Sequence, residues 1–144
     1  RDALRDYFAP HASSLSETSR QRLETNPLRI LDTKAPHERE LLAGVPKLPD
    51  FVGAEAKDHH EAVKGLLDGL GVPYIEDPLL VRGLDYYTGI VFEARDRDKE
   101  GRAILGGGHY GNLVGDVGGD PLPGVGFAMG DVMVTLVLEK YINV

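Results

Sequence analysis

The sequence predicts an α+β fold, with a helical segment over residues 1–71 followed over residues 72–144 by an antiparallel sheet and a closing helix. Three observations carry this expectation. Apolar residues recur at helical spacing as far as Leu70, most clearly from Ala54 onward. Beyond Val72 the period becomes that of a strand, with β-branched and aromatic residues gathered from Tyr86 to Ala94. Most of the 18 glycines then follow Gly83, and a helical pattern returns at Asp131.

Arg1 to Ala9 places Ala3, Leu4, Tyr7 and Phe8 at helical spacing, and Pro10 is expected to end that helix. Ser16 before Glu17-Thr18-Ser19 reads as a helix cap, and Asn26-Pro27 as the break that follows. A short helix is predicted from Pro36 to Gly44, with Pro46 and Pro49 stiffening the connector. From Ala54 to Leu70, Ala56, His59, Val63, Leu66, Leu67 and Leu70 share one face, and Gly71 is the expected C-terminal stop. Strands are expected at Pro73–Glu76, Leu79–Val81, Tyr86–Ala94, Arg102–Gly107 and Gly124–Gly130, and a helix at Asp131–Tyr141. The run Arg95–Gly101 reads as a charged turn.

Composition narrows the function classes. Hydrophobic residues make up 42% and charged residues 27%, as in ordinary soluble domains. The longest apolar run, Val132 to Leu138, is interrupted by Thr135 and falls far short of the ~18–20 residues of a membrane helix. No membrane association is therefore expected, and the compartment is left open, with cytoplasm favoured by default. The absence of cysteine excludes thiol nucleophiles, disulfides and thiolate-held metals. His109 lacks a second ligand at metal spacing, so no metal site is expected. A net charge of −7 leaves nucleic acid to be met only by a local basic patch. The charged start, Arg1-Asp2-Ala3-Leu4-Arg5-Asp6, reads as a cut into a longer chain.

Three segments carry chemistry. In Gly124 to Gly130, strand alternation puts Gly124, Gly126, Ala128 and Gly130 on one bare face and Val125, Phe127 and Met129 on the other. Such a face admits a flat ligand or a packed neighbour. In Gly106-Gly107-Gly108-His109-Tyr110-Gly111, consecutive glycines cost stability, and close approach by another group is the usual compensation. In the third segment, Arg82 and Asp85 stand between apolar Leu79-Leu80-Val81 and Ile90-Val91-Phe92. A charge placed there is either paired within the chain or aimed at an anionic substrate, for which the guanidinium fork suits carboxylate or phosphate. Alternation would turn Tyr86 and Tyr87 to opposite faces, one lining a pocket and one packing behind it.

Arg82-Gly83-Leu84-Asp85-Tyr86-Tyr87 resembles the first histidine-specific signature of the histidyl-tRNA synthetases. Gly106 to Tyr110 resembles their second signature, and Gly124 to Gly130 resembles the strand of class II motif 3, in the same order. Thr25 to Lys34 resembles the segment inserted before the first signature in bacterial members. The resemblance implies the C-terminal half of a class II catalytic domain, from an enzyme that forms histidyl-adenylate from histidine and ATP with Mg2+ and charges tRNA(His), as a homodimer. It implies that Arg82 meets the histidine carboxylate and the α-phosphate, that Tyr86, Tyr87 and Tyr110 surround the imidazole, and that Gly106, Gly107, Gly108, Gly124, Gly126, Ala128 and Gly130 floor the pocket. It places Arg20, Arg22, Arg29 and Lys34 near the tRNA acceptor stem, although these also suit a solvated face. Motifs 1 and 2 are expected before Arg1 and an anticodon-binding domain after Val144.

Two departures stand out. The arginine and aspartate of the second signature are His109 and Gly111, and the motif 3 arginine position holds Met133, with Asp131 free to cap the following helix. These departures suit a non-catalytic paralogue, such as the regulatory subunit of ATP phosphoribosyltransferase or a sensing domain of this fold. A helical interaction module with a purely structural sheet is the more distant alternative.

Overall fold

A computed structural model describes residues 1–96 and 102–142, so most of the charged turn expected at Arg95–Gly101 lies outside the described residues. The chain divides into two compact units, Arg1–Gly83 and Leu84–Val144. Residues 72–83 group with the helical unit.

The first unit opens with α1 (Asp2–Phe8), in which Arg5 reaches back to Asp2 at 3.0 Å. The α-helix ends before Pro10, as expected, and the chain continues in another form. Pro10 sits in the first turn of a tighter 3-10 segment, Ala9–Ser14, where its missing N–H costs nothing. Ser16 caps α2 (Glu17–Thr25), its hydroxyl accepting from the Ser19 N–H at 3.2 Å. Asn26 is extended and ends this helix, and a 3-10 segment not foreseen from sequence, Pro27–Asp32, buries Pro27, Ile30 and Leu31. Short 3-10 pieces lack the long apolar period that reveals an α-helix. Then come α3 (Pro36–Leu41), continued as 3-10 to Gly44, and α4 (Ala54–Gly69).

Gly71 ends α4 at φ +67°, its N–H bonded to Asp68 O at 3.1 Å, while Val72 N–H reaches Leu67 O at 2.9 Å. This is a Schellman closure. The expected apolar face of α4 is only partly covered: Val63 and Leu67 are half-buried, but Leu66 and Leu70 are exposed. The core lies elsewhere, in Leu4, Phe8, Leu15, Ile30, Leu31 and Val45.

Pro73–Glu76 and Leu79–Val81 are not strands. Their role in the first unit is carried by side chains instead of a backbone ladder. Leu79 and Val81 pack on the core, Asp77 Oδ1 accepts from Leu79 N–H at 2.9 Å, and Lys64 holds Glu76 at 3.0 Å.

The second unit is built on a sheet of order β1 (Val91–Ala94), β2 (Leu105–Tyr110), β3 (Gly124–Met129), antiparallel throughout. Val91, Gly108 and Gly126 stand in register on one face, as do Glu93, Gly106 and Ala128. Phe92, Gly107 and Phe127 share the other. Leu113–Asp116 forms the one-turn α5. Gly130 follows β3, and its carbonyl accepts from Val134 N–H at 3.0 Å to open α6 (Asp131–Ile142). Asp131 is therefore the first helical residue and not the cap, although its Oδ1 still accepts from Val132 N–H at 2.8 Å. Near its other end, Lys140 and Tyr141 donate to the Asp96 carboxylate at 2.7 and 2.6 Å.

Candidate functional site

The three tyrosines expected to form a site meet in one cluster in the second unit. The Tyr86 and Tyr87 rings lie 4.7 Å apart between centroids, and Tyr110 stands edge-on to them at 5.8 and 6.5 Å. Alternation had divided Tyr86 from Tyr87, but the strand begins only at Val91. Asp85 and Tyr86 form a turn, so period-two alternation does not govern that segment, and both rings turn to the same cluster.

The glycines make this cluster possible. A Cβ on Gly108 would lie 2.9 Å from Tyr87 Cδ1 and 2.6 Å from Ile90 O, so a side chain there excludes the ring. On β3, a Cβ at Gly124 would overlap the Tyr110 ring, and one at Gly126 would lie 2.7 Å from the Tyr110 hydroxyl. The flat group admitted by the bare strand face is thus, at these two positions, the chain's own Tyr110. Gly106 and Ala128 stand in register farther along the same face, while Gly130 lies past the strand end. Gly107 serves a different purpose on the opposite face: its Cβ would fall 2.6 Å from Phe127 Cβ and 2.7 Å from Phe127 Cα. There the close approach is strand to strand. All three residues, Gly106 to Gly108, are buried.

His109 points away from Tyr110, as neighbours in a strand must. Its Nδ1 lies 3.4 Å from Thr88 Oγ1, which also accepts from Gly111 N–H at 2.7 Å. Thr88 N–H donates to His109 O at 3.0 Å, and His109 N–H to Ile90 O at 2.9 Å. These bonds tie the segment carrying the two tyrosines to β2, a function the sequence did not assign to Thr88. Met133, where the resemblance leads one to expect the motif 3 arginine, is uncharged and lies with its Cγ near Gly130.

Arg82 belongs to the first unit and is half-buried. It lines a cavity of about 30 Å³ together with Arg22, Arg29, Asp32, Val81 and Gly83. Arg22 Nη1 donates to the Arg29 carbonyl at 3.1 Å, and Lys34 Nζ pairs with Asp32 at 2.9 Å. Of the basic residues picked out around Thr25–Lys34, Arg20 instead pairs with Glu17 at 2.9 Å on the outer side of α2. Grouping Arg22 and Arg29 with Arg82 had no signal in sequence spacing.

Two further clusters are structural. Glu38, 1% exposed, accepts from Ser16 N–H at 2.6 Å, from Ser19 Oγ at 2.8 Å and from Thr33 Oγ1. Burial alone would raise its pKa, but the Thr33, Ser16 and Ser19 hydrogen bonds outweigh it and hold the carboxyl at about 2. His60, Glu61 and Glu76 converge closely enough to hold a cation, but Lys64 Nζ already sits 2.9 Å from Glu61 and 3.0 Å from Glu76. That ammonium, its pKa raised by the hydrogen bonds it donates to Glu61 and Glu76, pairs with both carboxylates of the cluster. Among the described residues no helix is long and apolar enough to cross a membrane.

Comparison with known proteins gives a consistent result. The family model described as histidyl-tRNA synthetase matches residues 4–132. A histidine–tRNA ligase of Neisseria meningitidis serogroup B (strain ATCC BAA-335 / MC58) is 44% identical over 142 residues, which is 98% of this chain and 33% of that protein. One from Lactobacillus helveticus (strain DPC 4571) is 46% identical over 143 residues, 96% of this chain and 33% of that protein. The crystal structure of apo Staphylococcus aureus histidyl-tRNA synthetase superposes with a TM-score of 0.66 at 37% identity, covering 96% of this chain and 34% of that one. The chain spans about a third of the length of the curated relatives it matches. It belongs to the histidyl-tRNA synthetase family.

Proposed function

We propose that this chain carries the amino-acid-recognising part of a histidine–tRNA ligase, with Tyr86, Tyr87 and Tyr110 receiving the imidazole of histidine. The observation that carries the proposal is the meeting of these three rings over glycine positions, within the residues that the family model matches. Aromatic faces and edges suit a flat heteroaromatic ring, and phenolic hydroxyls supply donors and acceptors for its two nitrogens. Gly106 and Ala128 extend the bare face along which the rest of an adenylate lies.

In the reaction proposed for the parent enzyme, a carboxylate oxygen of histidine attacks the α-phosphorus of ATP. An acyl–phosphate anhydride forms and pyrophosphate leaves, with Mg2+ accompanying the ATP phosphates. Two anions must meet in that step, and a fixed guanidinium lowers its barrier. Arg82 is assigned that task. The histidyl group then passes to tRNA(His). A cytoplasmic homodimer is the assembly proposed for the parent protein.

Isothermal titration with histidine tests the proposal. Saturable binding by this chain, weakened on Tyr110→Ala and lost on Arg82→Ala, is expected. Absence of binding in both this chain and its full-length parent sinks it. Histidine-dependent pyrophosphate exchange is expected to be absent from residues 1–144 alone, because the chain spans about a third of the length of the relatives it matches and Met133 stands where the resemblance expects the motif 3 arginine. Met133 and His109 favour a second reading, a family member that binds histidine without charging tRNA. The full-length parent decides between them: histidine binding without pyrophosphate exchange selects the second.

A further inference from the structure

We propose that His109 is a positioning residue for the tyrosine cluster, its ring lying on Gly89 and so fixing the segment that carries Tyr86 and Tyr87. The inference rests on the histidine-binding reading above, because it concerns how that pocket is kept in shape. Two neighbouring residues of β2 hold the segment on opposite faces. Gly108 makes room for the Tyr87 ring, which a Cβ there would meet at 2.9 Å. His109, on the other face, puts its side chain against Gly89. A Cβ on Gly89 would lie 3.0 Å from His109 Nδ1, 3.3 Å from Cβ and 3.4 Å from Cγ.

Gly89 is needed for room and not for backbone conformation. Among the described residues, the glycines with positive φ are Gly71 and Gly118. A side chain at position 89 therefore costs the displacement of the imidazole and no backbone strain. The His109 Cβ is fixed by the strand, where His109 N–H donates to Ile90 O at 2.9 Å and His109 O accepts from Thr88 N–H at 3.0 Å. The ring can leave only by turning about Cα–Cβ, which withdraws Nδ1 from Thr88 Oγ1, now 3.4 Å away. Its Cε1 meanwhile approaches Gly111, where a Cβ would stand 3.6 Å from it. Flanked by two glycines, the ring is held in one place, and residues 88–90 are held with it. Tyr86 and Tyr87 come immediately before these residues, so the placement of their rings follows.

A double-substitution cycle in the whole chain tests the pair, read by histidine affinity in calorimetry and by tyrosine ring signals in NMR, both well below the melting transition. Gly89→Ala drives the ring off and is expected to weaken histidine binding about twentyfold. His109→Ala leaves the segment unsupported and is expected to weaken it about fivefold. When both substitutions are combined, the methyl group enters space the ring has left. The double variant is expected to bind no more weakly than His109→Ala alone, whereas independent effects would multiply to about a hundredfold. His109→Phe keeps a flat ring on Gly89 without the nitrogens and should stay within about twofold of the unaltered chain. Circular dichroism checks the folding of each variant, and His109→Ala with His109→Phe carries the test if Gly89→Ala does not fold alone.

Affinity and tyrosine signals that change together in Gly89→Ala and recover together in the double variant support the proposal. Losses that multiply overturn it, as does a loss in His109→Phe equal to that in His109→Ala. So does a fall in melting temperature with affinity and tyrosine signals unmoved, the mark of a merely structural contact. The ring signals keep the two proposals apart. If neither this chain nor its full-length parent binds histidine, the imidazole assignment falls. The pair is then judged on whether the Tyr86 and Tyr87 signals move in Gly89→Ala and return in the double variant. If histidine binds and the two losses multiply, the positioning by His109 falls alone.

Discussion

Glu38 accepts a 2.6 Å hydrogen bond from the backbone N–H of Ser16, the residue that caps α2, and so fastens α3 to the start of a helix 22 residues upstream. Its second oxygen takes the hydroxyls of Ser19 and Thr33. A buried carboxylate is costly unless its oxygens are hydrogen-bonded, and here neutral donors from two segments, the start of α2 and Thr33, meet them. The arrangement holds the 3-10 segment Pro27–Asp32 between two helices, and with it the backbone that presents Arg29.

The first prediction concerns acid. The Glu38 carboxyl has a folded-state pKa of about 2 against an ordinary 4.5, so the folded chain binds fewer protons there than the unfolded chain. Its stabilisation is therefore complete above pH 4.5 and is lost as pH falls toward 2. A shift of this size corresponds to on the order of 3 kcal/mol. Glu38→Gln keeps the shape but replaces an acceptor oxygen with a donor, and a loss of about 1–3 kcal/mol at neutral pH is expected. Urea melts from pH 7 to pH 2.5 check both. The variant must lose the steep decline between pH 4.5 and 2; an unchanged slope removes Glu38 as its cause.

How much of this was visible beforehand depends on the range of the interactions. The Schellman stop at Gly71, the cap at Ser16 and the long helix at Ala54 are local, and the sequence states them directly. The α+β order and the bare face of β3 follow from period and alternation. The segment Tyr86–Ile90 departs from the expected strand because β-branched and aromatic content signals burial as well as pairing, and here a turn precedes a four-residue strand. Glu38 was invisible for another reason. Its partners Ser16, Ser19 and Thr33 are common surface residues, and only the packing of three short segments brings them together. The convergence of Arg22, Arg29 and Arg82 is of the same non-local kind.

The glycines of the second unit make a sharper prediction than their number suggests. Gly107→Ala puts a methyl group into the backbone of the neighbouring strand, 2.7 Å from Phe127 Cα, and neither strand can yield without breaking the β2–β3 ladder. Loss of about 3 kcal/mol or more is expected, as for overpacked cores. Gly65→Ala, in α4, meets nothing within 4 Å and is expected to stabilise by about 0.5–1 kcal/mol through helix propensity. Thermal melts of the pair check the contrast. Tolerance of Gly107→Ala would mean that the strands are not packed as described.

Gly124→Ala should act on recognition more than on folding. The added methyl overlaps the Tyr110 ring, which is a side chain and can swing aside, whereas the β2–β3 backbone pairing has no reason to change. Near-ultraviolet circular dichroism should report an altered tyrosine environment with far-ultraviolet signal retained. Histidine affinity is expected to fall by about tenfold, the size of one lost aromatic contact. If affinity holds while the near-ultraviolet signal changes, Tyr110 does not touch the imidazole.

Thr88 should behave as a positioning residue. Its hydroxyl accepts from Gly111 N–H at 2.7 Å and faces His109 Nδ1 at 3.4 Å, while its own N–H donates to the His109 carbonyl. It therefore joins the end of β2 to the segment that begins with Tyr86 and Tyr87. Thr88→Val preserves the side-chain shape but leaves Gly111 N–H to solvent, at an expected cost of about 1 kcal/mol. Because the tyrosines stand immediately before it, histidine affinity is expected to drop by about fivefold. Thr88→Ser restores the acceptor and should restore affinity. A merely structural role predicts that both variants change the melting temperature in proportion to affinity. A positioning role predicts that Thr88→Val weakens histidine binding at temperatures far below its melt, and calorimetry at 10–15 °C below the transition distinguishes the two.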